Sequence, residues 1–309
     1  MNYSFLLVGV LWMTGCTREH AQVDRVPSGS TASPTSQITE PAVRYVTIPE
    51  DIHIKDYFLF MDHLVSRLNS DSANCMLDEY ILVHANPWII DTLRSTDYYV
   101  QKQKGKFVYD QSKCVILHKN TQLIIPDSLW AEQLRDKLHS RVVDVNIPEF
   151  RMRILHGADT VLVCKVRVGQ NKRKFLALAG HEVDLRTPIG QGEIVRVERE
   201  PYYIDPETGM RYDSTRRDDG RYTLLPIIPW LEPSIGGVRY GTMIHATTNP
   251  RTLGKASSNG CIGTTEADAW TIYYNAPPGT PVIFRYDLEV VGANGAIITL
   301  RDIYQREQE

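Results

Sequence analysis

Clustered positive charge is missing from this sequence. The 309 residues include 34 lysines and arginines and 37 aspartates and glutamates, which gives a net charge of −3. Domains that bind nucleic acid carry basic patches, or stripes of basic and aromatic residues. Because no such patch is present, we expect no nucleic-acid partner.

Metal-ligand spacings are also missing. The chain has five cysteines, and no pair of them has the spacing of a zinc site. Seven of the nine histidines, between residues 53 and 181, form no cluster at ligand spacing. We therefore predict that the protein binds no metal.

The apolar run at the N-terminus, residues 5–15, is too short to cross a bilayer as a helix, which takes about 20 residues. It ends at Gly15-Cys16 and is typical of a lipoprotein signal peptide, residues 1–16, whose cysteine is lipidated. We expect an envelope lipoprotein that is anchored to a membrane through Cys16 and faces the periplasm. An ordinary secretory peptide, or an uncleaved one, is the alternative.

The rest of the chain divides into four segments. Residues 17–44 are rich in Ser, Thr and Pro and predict a disordered tether. Residues 45–148 mix helical and strand patterns and predict a small α+β accessory domain. Residues 149–290 are rich in strand patterns and predict a mainly β domain, and residues 291–309 predict a terminal strand with a polar tail.

Local patterns predict the elements of the accessory domain. Apolar residues at helical spacing predict helices at 55–69 and 128–140. Residues 80–83 predict a strand, and residues 115–117 and 123–125 predict a hairpin.

In the mainly β domain, the proline-rich and tyrosine-rich stretch 201–233 predicts a long irregular lid or cleft wall. The other predicted elements are a hairpin of 151–155 with 160–168, a strand at 175–178, a helix from a cap at Thr265 and Asp268 to Tyr274, a strand at 282–284, and a last strand at 296–300.

Cys261 lies in a loop of small and polar residues, with glycines on both sides, sixteen residues after His245. A nearby imidazole can lower the pKa of a thiol or take its proton, which makes the sulfur a nucleophile. Backbone amides next to glycines, as at Gly260, can approach a developing oxyanion. Cys261 is therefore a candidate nucleophile and His245 a candidate base. A structural cysteine and a core histidine are the alternatives.

The stretch 244–262 resembles the active-site signature of the L,D-transpeptidase (YkuD-type) catalytic domain, I-H-G-T, N-P, G-K-A and S-H-G-C-I-R. Residues 187–190 and 279–282 are similar to the family's T-P-x-G and G-T-P-V turns. The resemblance covers about residues 150–290. The signature residues in register are His245, Asn249, Pro250, Gly254, Lys255, Ser258, Gly260 and Cys261.

The resemblance implies a β-sandwich catalytic domain that needs no cofactor and acts on peptidoglycan stem peptides. It implies that Cys261 attacks the bond before the D-alanine of a tetrapeptide stem and that His245 carries the proton. An amine of a second stem would then resolve the thioester into a 3→3 cross-link. The Ala246 carbonyl would orient the His245 ring, and Ser258 would shape the loop.

Two positions depart from the family pattern. Asn259 replaces a second histidine, so a hydrogen-bond donor remains but cannot titrate. Gly263 replaces an arginine that could bind a substrate carboxylate. Arg251 and Arg239 are candidate substitutes for this guanidinium, and Tyr240 is a candidate oxyanion donor. Solvated charges and simple packing are the alternative roles.

Other functions remain open. Water as acceptor would give an L,D-carboxypeptidase, and cleavage at a protein–peptidoglycan link would give an amidase. Asn259 and Gly263 favour a wall-binding lipoprotein without catalysis. A general cysteine peptidase is a further alternative.

The remaining cysteines also leave alternatives. If Cys16 is lipidated and Cys261 is free, then Cys75, Cys114 and Cys164 can form at most one disulfide, whose pairing is open. Cys164 lies in a strand-like run and is predicted to be a buried thiol.

Overall fold

The computed structural model describes residues 44–71 and 76–306. The predicted signal peptide with Cys16, the predicted tether apart from Arg44, and Cys75 lie outside the described residues. None of the described helices has both the length and the apolar character that crossing a membrane requires.

Helices are concentrated before residue 140, and strands dominate after it, which confirms a mainly β domain with a smaller α+β region before it. The described α-helices are α1 Ile54–Asp71, α2 Glu79–Ala85, α3 Trp88–Ser95, α4 Tyr98–Gln103, α5 Ser128–His139 and α6 Glu266–Asn275. Short 3-10 turns occupy Gln111–Lys113 and Pro250–Thr252. The described strands are β1 Arg44–Thr47, β2 Ile52–His53, β3 Val115–Leu117, β4 Gln122–Ile125, β5 Arg141–Asn146, β6 Arg151–His156, β7 Asp159–Lys165, β8 Val168–Gly169, β9 Arg173–Leu176, β10 His181–Asp184, β11 Gly190–Glu198, β12 Tyr203–Ile204, β13 Arg211–Tyr212, β14 Ser214–Arg216, β15 Tyr222–Leu224, β16 Trp230–Ile235, β17 Ile244–Ala246, β18 Ala256–Ser258, β19 Ile262–Thr264, β20 Pro281–Arg285, β21 Glu289–Val291 and β22 Ile297–Thr299.

The predicted helices at 55–69 and 128–140 are confirmed as α1 and α5. Tyr57, Met61, Leu64 and Leu68 recur every three or four residues along α1, and all four are buried. One face of α1 therefore supplies core contacts, as the sequence spacing indicated. Asp127 begins α5 by accepting a hydrogen bond from the backbone N–H of Trp130.

The predicted strand at 80–83 is wrong, because these residues lie in α2. Asp78 caps the helix by accepting from the N–H of Ile81 at 2.8 Å. Ile81, Leu82 and Val83 are all at most 1% exposed. A short apolar run that is buried on every side has no period, so it fits a core helix as well as a strand.

The predicted hairpin of 115–117 with 123–125 is wrong in its pairing. Both runs are strands, but β3 pairs with β2 and β4 pairs with β1, in two separate ribbons. Local pattern identifies a strand, whereas its partner is chosen by the packing of the whole domain.

One sheet of eight strands organises the mainly β domain, in the order β19-β17-β16-β11-β20-β5-β6-β7. The predicted β6–β7 hairpin and the strands at 282–284 and 296–300 are confirmed, while the strand predicted at 175–178 lies at 173–176. β5 lies inside this sheet, although its residues precede the predicted domain boundary at 148. The division into two domains stays a prediction, since the described residues all fall in one compact unit.

The two edges of this sheet meet, so that it nearly closes into a barrel. Just beyond β7, Arg167 pairs with Gly263 of β19: Arg167 N–H donates to the Gly263 carbonyl at 2.9 Å, and Gly263 N–H donates back at 3.0 Å. The pair satisfies backbone groups that an open sheet edge would leave unpaired.

The predicted cap and helix after residue 264 are confirmed. Thr265 accepts a hydrogen bond from the N–H of Asp268 at the start of α6. The helix buries Trp270, Tyr273 and Tyr274, all at most 1% exposed, and packs against α2 and α3. The same hydrophobic cluster therefore joins the helices to the sheet.

The stretch 201–233 is not the long irregular segment that was predicted. It contains two short ribbons, β12–β13 and β14–β15, and the start of β16. Arg217, beside β14, is fully buried and pairs with Glu266, the first residue of α6. Arg217 also donates to Gln111 at 3.1 Å and to Thr223 at 2.8 Å. This part of the chain is therefore anchored to the helical region.

We predict that Arg217→Met lowers the free energy of unfolding by about 3 kcal/mol or more, because a buried ion pair that loses one partner leaves a buried charge uncompensated. Urea denaturation followed by circular dichroism measures the change. Arg216→Met is the matched control: its side chain is exposed, and its effect should stay within about 0.5 kcal/mol. Equal stability of the two variants would contradict this role of Arg217.

Candidate active site

Two neighbouring parallel strands carry the predicted nucleophile and base. β17 contains His245, and Cys261 directly precedes β19. The strands run in register, with His245 opposite Gly263, and the N–H of Ile262 donates to the Met243 carbonyl at 2.9 Å. Residues that lie sixteen positions apart in sequence are thereby placed at the same end of adjacent strands.

The hydrogen bond of His245 defines which of its nitrogens can act as a base. Nδ1 lies 2.8 Å from the carbonyl oxygen of Ala246. A carbonyl can only accept, so Nδ1 carries the hydrogen and Nε2 keeps its lone pair. Burial, and then the charge of Arg167, lower the pKa of His245 to about 3, while the bond to Ala246 opposes the shift. The ring is therefore neutral at neutral pH.

The Cys261 thiol is also neutral at rest. Burial raises its pKa above the ordinary value of 9.0, and a hydrogen bond from Met243 and the charge of Arg167 reverse part of that shift. A thiol can become a nucleophile as a standing thiolate or by losing its proton to a base, and the raised pKa of Cys261 favours the second route. Cys261 and His245 are therefore both neutral at rest.

The loop before Cys261 is held by side chains. Ser258 Oγ donates to the Cys261 carbonyl at 2.6 Å, and Thr187 Oγ1 donates to the Gly260 carbonyl at 3.0 Å. Gly260 has a φ of 104°, a conformation that favours glycine. Within the described chain, the N–H groups of Gly260 and Cys261 have no hydrogen-bond partner. They are therefore available to an oxyanion.

The side chain of Asn259, where the family has a histidine, is also engaged: its Oδ1 accepts from Gln170 Nε2 at 3.0 Å. Gln170 follows β8, which pairs with β18 just before the loop. Asn259 therefore ties the loop to a neighbouring strand and adds no titratable group to the site.

The predicted polar tail contains a buried tyrosine that supports the loop. Tyr304 is 1% exposed; its hydroxyl accepts from the N–H of Thr187 at 3.0 Å and donates to the Gly169 carbonyl at 2.8 Å. Gly169 N–H donates to Thr187 Oγ1, which in turn bonds to Gly260. Two hydrogen bonds in sequence, between Tyr304 and Thr187 and between Thr187 and Gly260, thus connect the C-terminal segment to the loop before Cys261.

Arg239 and Arg251 are the candidate substitutes for the guanidinium that is missing at Gly263, and both have other contacts. Arg239 is bound to Glu232 through Nε at 2.9 Å and through a terminal nitrogen at 2.7 Å. The Arg251 side chain is exposed, and its backbone N–H is bonded to Asp218. Tyr240 is 58% exposed on the loop before β17.

Sequence reasoning missed Arg167, whose charge acts on both Cys261 and His245.

An aromatic row leads from the β12–β13 ribbon to the base. The Trp230 ring lies 5.2 Å from the His245 ring, and Tyr203 meets Trp230 edge-on at 5.0 Å. Tyr212 follows at 5.9 Å from Tyr203. This row buries one side of the imidazole and contributes to its low pKa.

Two other features lie apart from this pair. A cavity of about 530 Å³, lined in part by Ile189, Phe284 and Arg306, does not include Cys261 or His245. Within the described residues, no group of three His, Cys, Asp or Glu side chains is placed to hold a metal ion. Cys114 and Cys164 are free thiols, and Cys164 is buried.

Comparison with known protein families gives a match over part of the chain. Residues 140–284 match the family YkuD, described as the L,D-transpeptidase catalytic domain. The match covers slightly less than half of the chain. Comparison with curated proteins gave no match.

Solved structures that resemble the chain include several L,D-transpeptidases. One from Xylanimonas cellulosilytica is 14% identical over 62% of this chain and 80% of its own, with a TM-score of 0.35. One from Mycobacterium smegmatis is 15% identical over 47% and 58%, with a TM-score of 0.33. L,D-transpeptidase 3 from Mycobacterium tuberculosis, with a faropenem-derived adduct, is 19% identical over 47% and 60%, with a TM-score of 0.33. The chain thus spans less than two thirds of the two mycobacterial proteins.

We predict that alkylation of Cys261 by iodoacetamide accelerates steadily from about pH 6 to about pH 9, because burial holds the thiol pKa above its ordinary range. His245 should cause no inflection in this window, since its pKa is about 3. Intact-mass kinetics measure the rate, and Cys261→Ala gives the background from the other thiols. An alkylation rate that reaches a plateau below about pH 8 would show that the thiol is already ionised there, and would contradict a raised thiol pKa.

We also predict that Tyr304→Phe lowers stability by about 1–3 kcal/mol, because it leaves the buried Thr187 N–H without an acceptor. Alkylation of Cys261 should slow as the loop loses its support. Denaturant unfolding and intact-mass kinetics measure the two effects. Tyr222→Phe, at a side chain that is 64% exposed, is the control and should change neither.

Proposed function

We propose that the protein is a peptidoglycan L,D-transpeptidase in which Cys261 is the nucleophile and His245 the general base. The observation that carries this proposal is the fixed, neutral imidazole of His245. Its Nδ1 is bound to the Ala246 carbonyl, so Nε2 is left as the proton acceptor. The neighbouring strand is β19, which directly follows Cys261. The match of residues 140–284 to the YkuD family supports stem peptides as the substrate class.

In the first step, His245 Nε2 takes the proton of the Cys261 thiol while sulfur bonds to the carbonyl carbon of the third stem residue. The oxyanion that forms is held by the free N–H groups of Gly260 and Cys261. When the intermediate collapses, the bond to the nitrogen of D-alanine breaks, and His245 returns its proton to that nitrogen. A thioester on Cys261 remains.

In the second step, an amine of a neighbouring stem attacks the thioester, sulfur leaves, and the new amide is a 3→3 cross-link. His245 removes the proton of the attacking amine and returns it to the sulfur. Water in place of the amine would give a carboxypeptidase, and a protein-linked donor would give an amidase. The residues and bonds on the enzyme are the same in each case.

We extend the proposal to the location of the enzyme. The run that ends at Gly15-Cys16 supports an envelope lipoprotein, anchored to a membrane through Cys16 and facing the periplasm. A lipid anchor would keep the enzyme close to the polymer on which it acts.

A second candidate is a wall-binding domain without turnover. Asn259 favours it, because this residue is tied to Gln170 and cannot exchange protons with the thiol. The two candidates differ in whether the sulfur can be acylated.

We predict that a carbapenem forms a covalent adduct with the wild-type protein, because its strained acyl group meets the same nucleophile. Intact-mass spectrometry should show the added mass on wild type and none on Cys261→Ala. His245→Asn should slow acylation by about 10²–10⁴-fold, the usual contribution of a general base. Absence of an adduct on folded, reduced wild type would support the wall-binding domain.

Products from a purified tetrapeptide stem then distinguish the acceptors. A cross-linked dimer with loss of D-alanine is expected for the transpeptidase. Tripeptide alone would show that water is the acceptor.

A further inference from the structure

We propose that Arg167 is the charge partner of the Cys261 thiolate, a positioning residue supplied by the chain segment that closes the sheet. The inference rests on the proposed role of Cys261 as nucleophile. It assigns the site a cation from the segment between β7 and β8, and neither Arg251 nor Arg239 lies in that segment.

The first argument is the alignment of three residues across β17, β19 and the segment just beyond β7. His245 of β17 lies opposite Gly263 of β19, and Gly263 lies opposite Arg167 on its other side. Residues in such a row present their side chains on the same face of a sheet. Because the middle residue has no side chain, Arg167 and His245 face one another across it, two residues from Cys261.

The second argument is the shape of the space above Gly263. A Cβ atom at this position would lie 2.4 Å from Nε, 2.7 Å from Cγ and 2.9 Å from Cδ of Arg167. Gly263 does not have a positive φ, so its backbone conformation does not require glycine. The absent side chain is therefore explained by the arginine that lies on top of it.

The third argument is that, within the described residues, the Arg167 side chain has no hydrogen-bond acceptor or counter-ion before the reaction. Nε of Arg167 is buried and has no hydrogen-bond partner, and no carboxylate of the described chain forms an ion pair with this residue. A partly buried charge without a counter-ion is unfavourable unless an anion forms beside it. The anionic forms of Cys261 and Tyr212 are the charges that favour the Arg167 cation.

The direction of its effects agrees with this role. The charge of Arg167 lowers the pKa of the Cys261 thiol and lowers that of His245. Both shifts favour the same state, in which sulfur is ionised and the ring is neutral. Two other titratable groups face this cluster. The anionic form of Tyr212 favours the Arg167 cation. The charge of Asp205 raises the pKa of Tyr212 and so opposes the formation of that anion.

The test uses iodoacetamide, a neutral probe without a carboxylate, so that thiolate formation is measured apart from substrate binding. We expect Arg167→Met to slow alkylation of Cys261 at about pH 7.5 by about tenfold and to move the pH profile upward, because the thiolate loses a nearby positive charge. Arg167→Lys should retain most of the wild-type rate. Arg173→Met, at an arginine whose side chain is 67% exposed, is the control and should match wild type.

A second pair of variants tests the packing independently. Gly263→Ala should slow alkylation in the wild-type background, because its Cβ displaces Arg167, and should have no further effect in the Arg167→Ala background. Thermal unfolding confirms that each variant is folded. Additive losses from the two changes would contradict the proposed contact.

The outcomes separate this inference from the proposed function. If Arg167→Met leaves the alkylation profile unchanged while wild type still reacts with a carbapenem, the inference is overturned and the enzyme stands. A variant that keeps the profile but raises KM for a stem peptide would make Arg167 a carboxylate-binding residue, which also overturns it. If the profile shifts but wild type forms no carbapenem adduct, the charge partner stands and the transpeptidase fails.

Discussion

The pairing of Arg167 with Gly263 is the contact on which the rest of the structure depends. It joins the two edges of the eight-stranded sheet, and by the same two hydrogen bonds it holds β19, the strand that directly follows Cys261. A pair that only closed the sheet would need no particular side chains. Here one member has a long cationic side chain and the other has none, so the closure also places a charge beside the thiol.

The loop before Cys261 is held by hydrogen bonds from parts of the chain that are far apart in sequence. Thr187 holds the Gly260 carbonyl, Gln170 holds Asn259, and Tyr304 holds Thr187. Each bond uses a neutral group, so the loop is fixed without a further charge near the sulfur. Asn259 fits this arrangement, because its amide can bind Gln170 with no dependence on pH. The departure from the family pattern is thus a change in how the loop is held.

Sequence patterns predicted much of the fold but not its long-range contacts. The helical spacing of Tyr57, Met61 and Leu64 identified α1, because one face of a helix must be apolar to pack. The run 80–83 carried no period, and the partners of β3 and β4 depend on the whole core. For the candidate site, the sequence points to Cys261 and His245 because one short stretch holds both, and their roles stay a prediction. Arg167 could not be predicted, because only the closed sheet brings it to Gly263, and Tyr304 gave no local signal in a polar tail.

In the proposed reaction, a thiol and an imidazole that are both neutral at rest determine how a proton can move through the site. A His245 ring with a pKa of about 3 is a weak base, so it cannot hold the proton of Cys261 for long. Its protonated form is correspondingly a strong acid, which readily gives the proton to the nitrogen of a leaving amine. A cation beside the sulfur stabilises the thiolate for that interval and also disfavours the imidazolium. In the proposed reaction, the proton would therefore pass to the leaving group while the negative charge stays on sulfur or moves to the oxyanion.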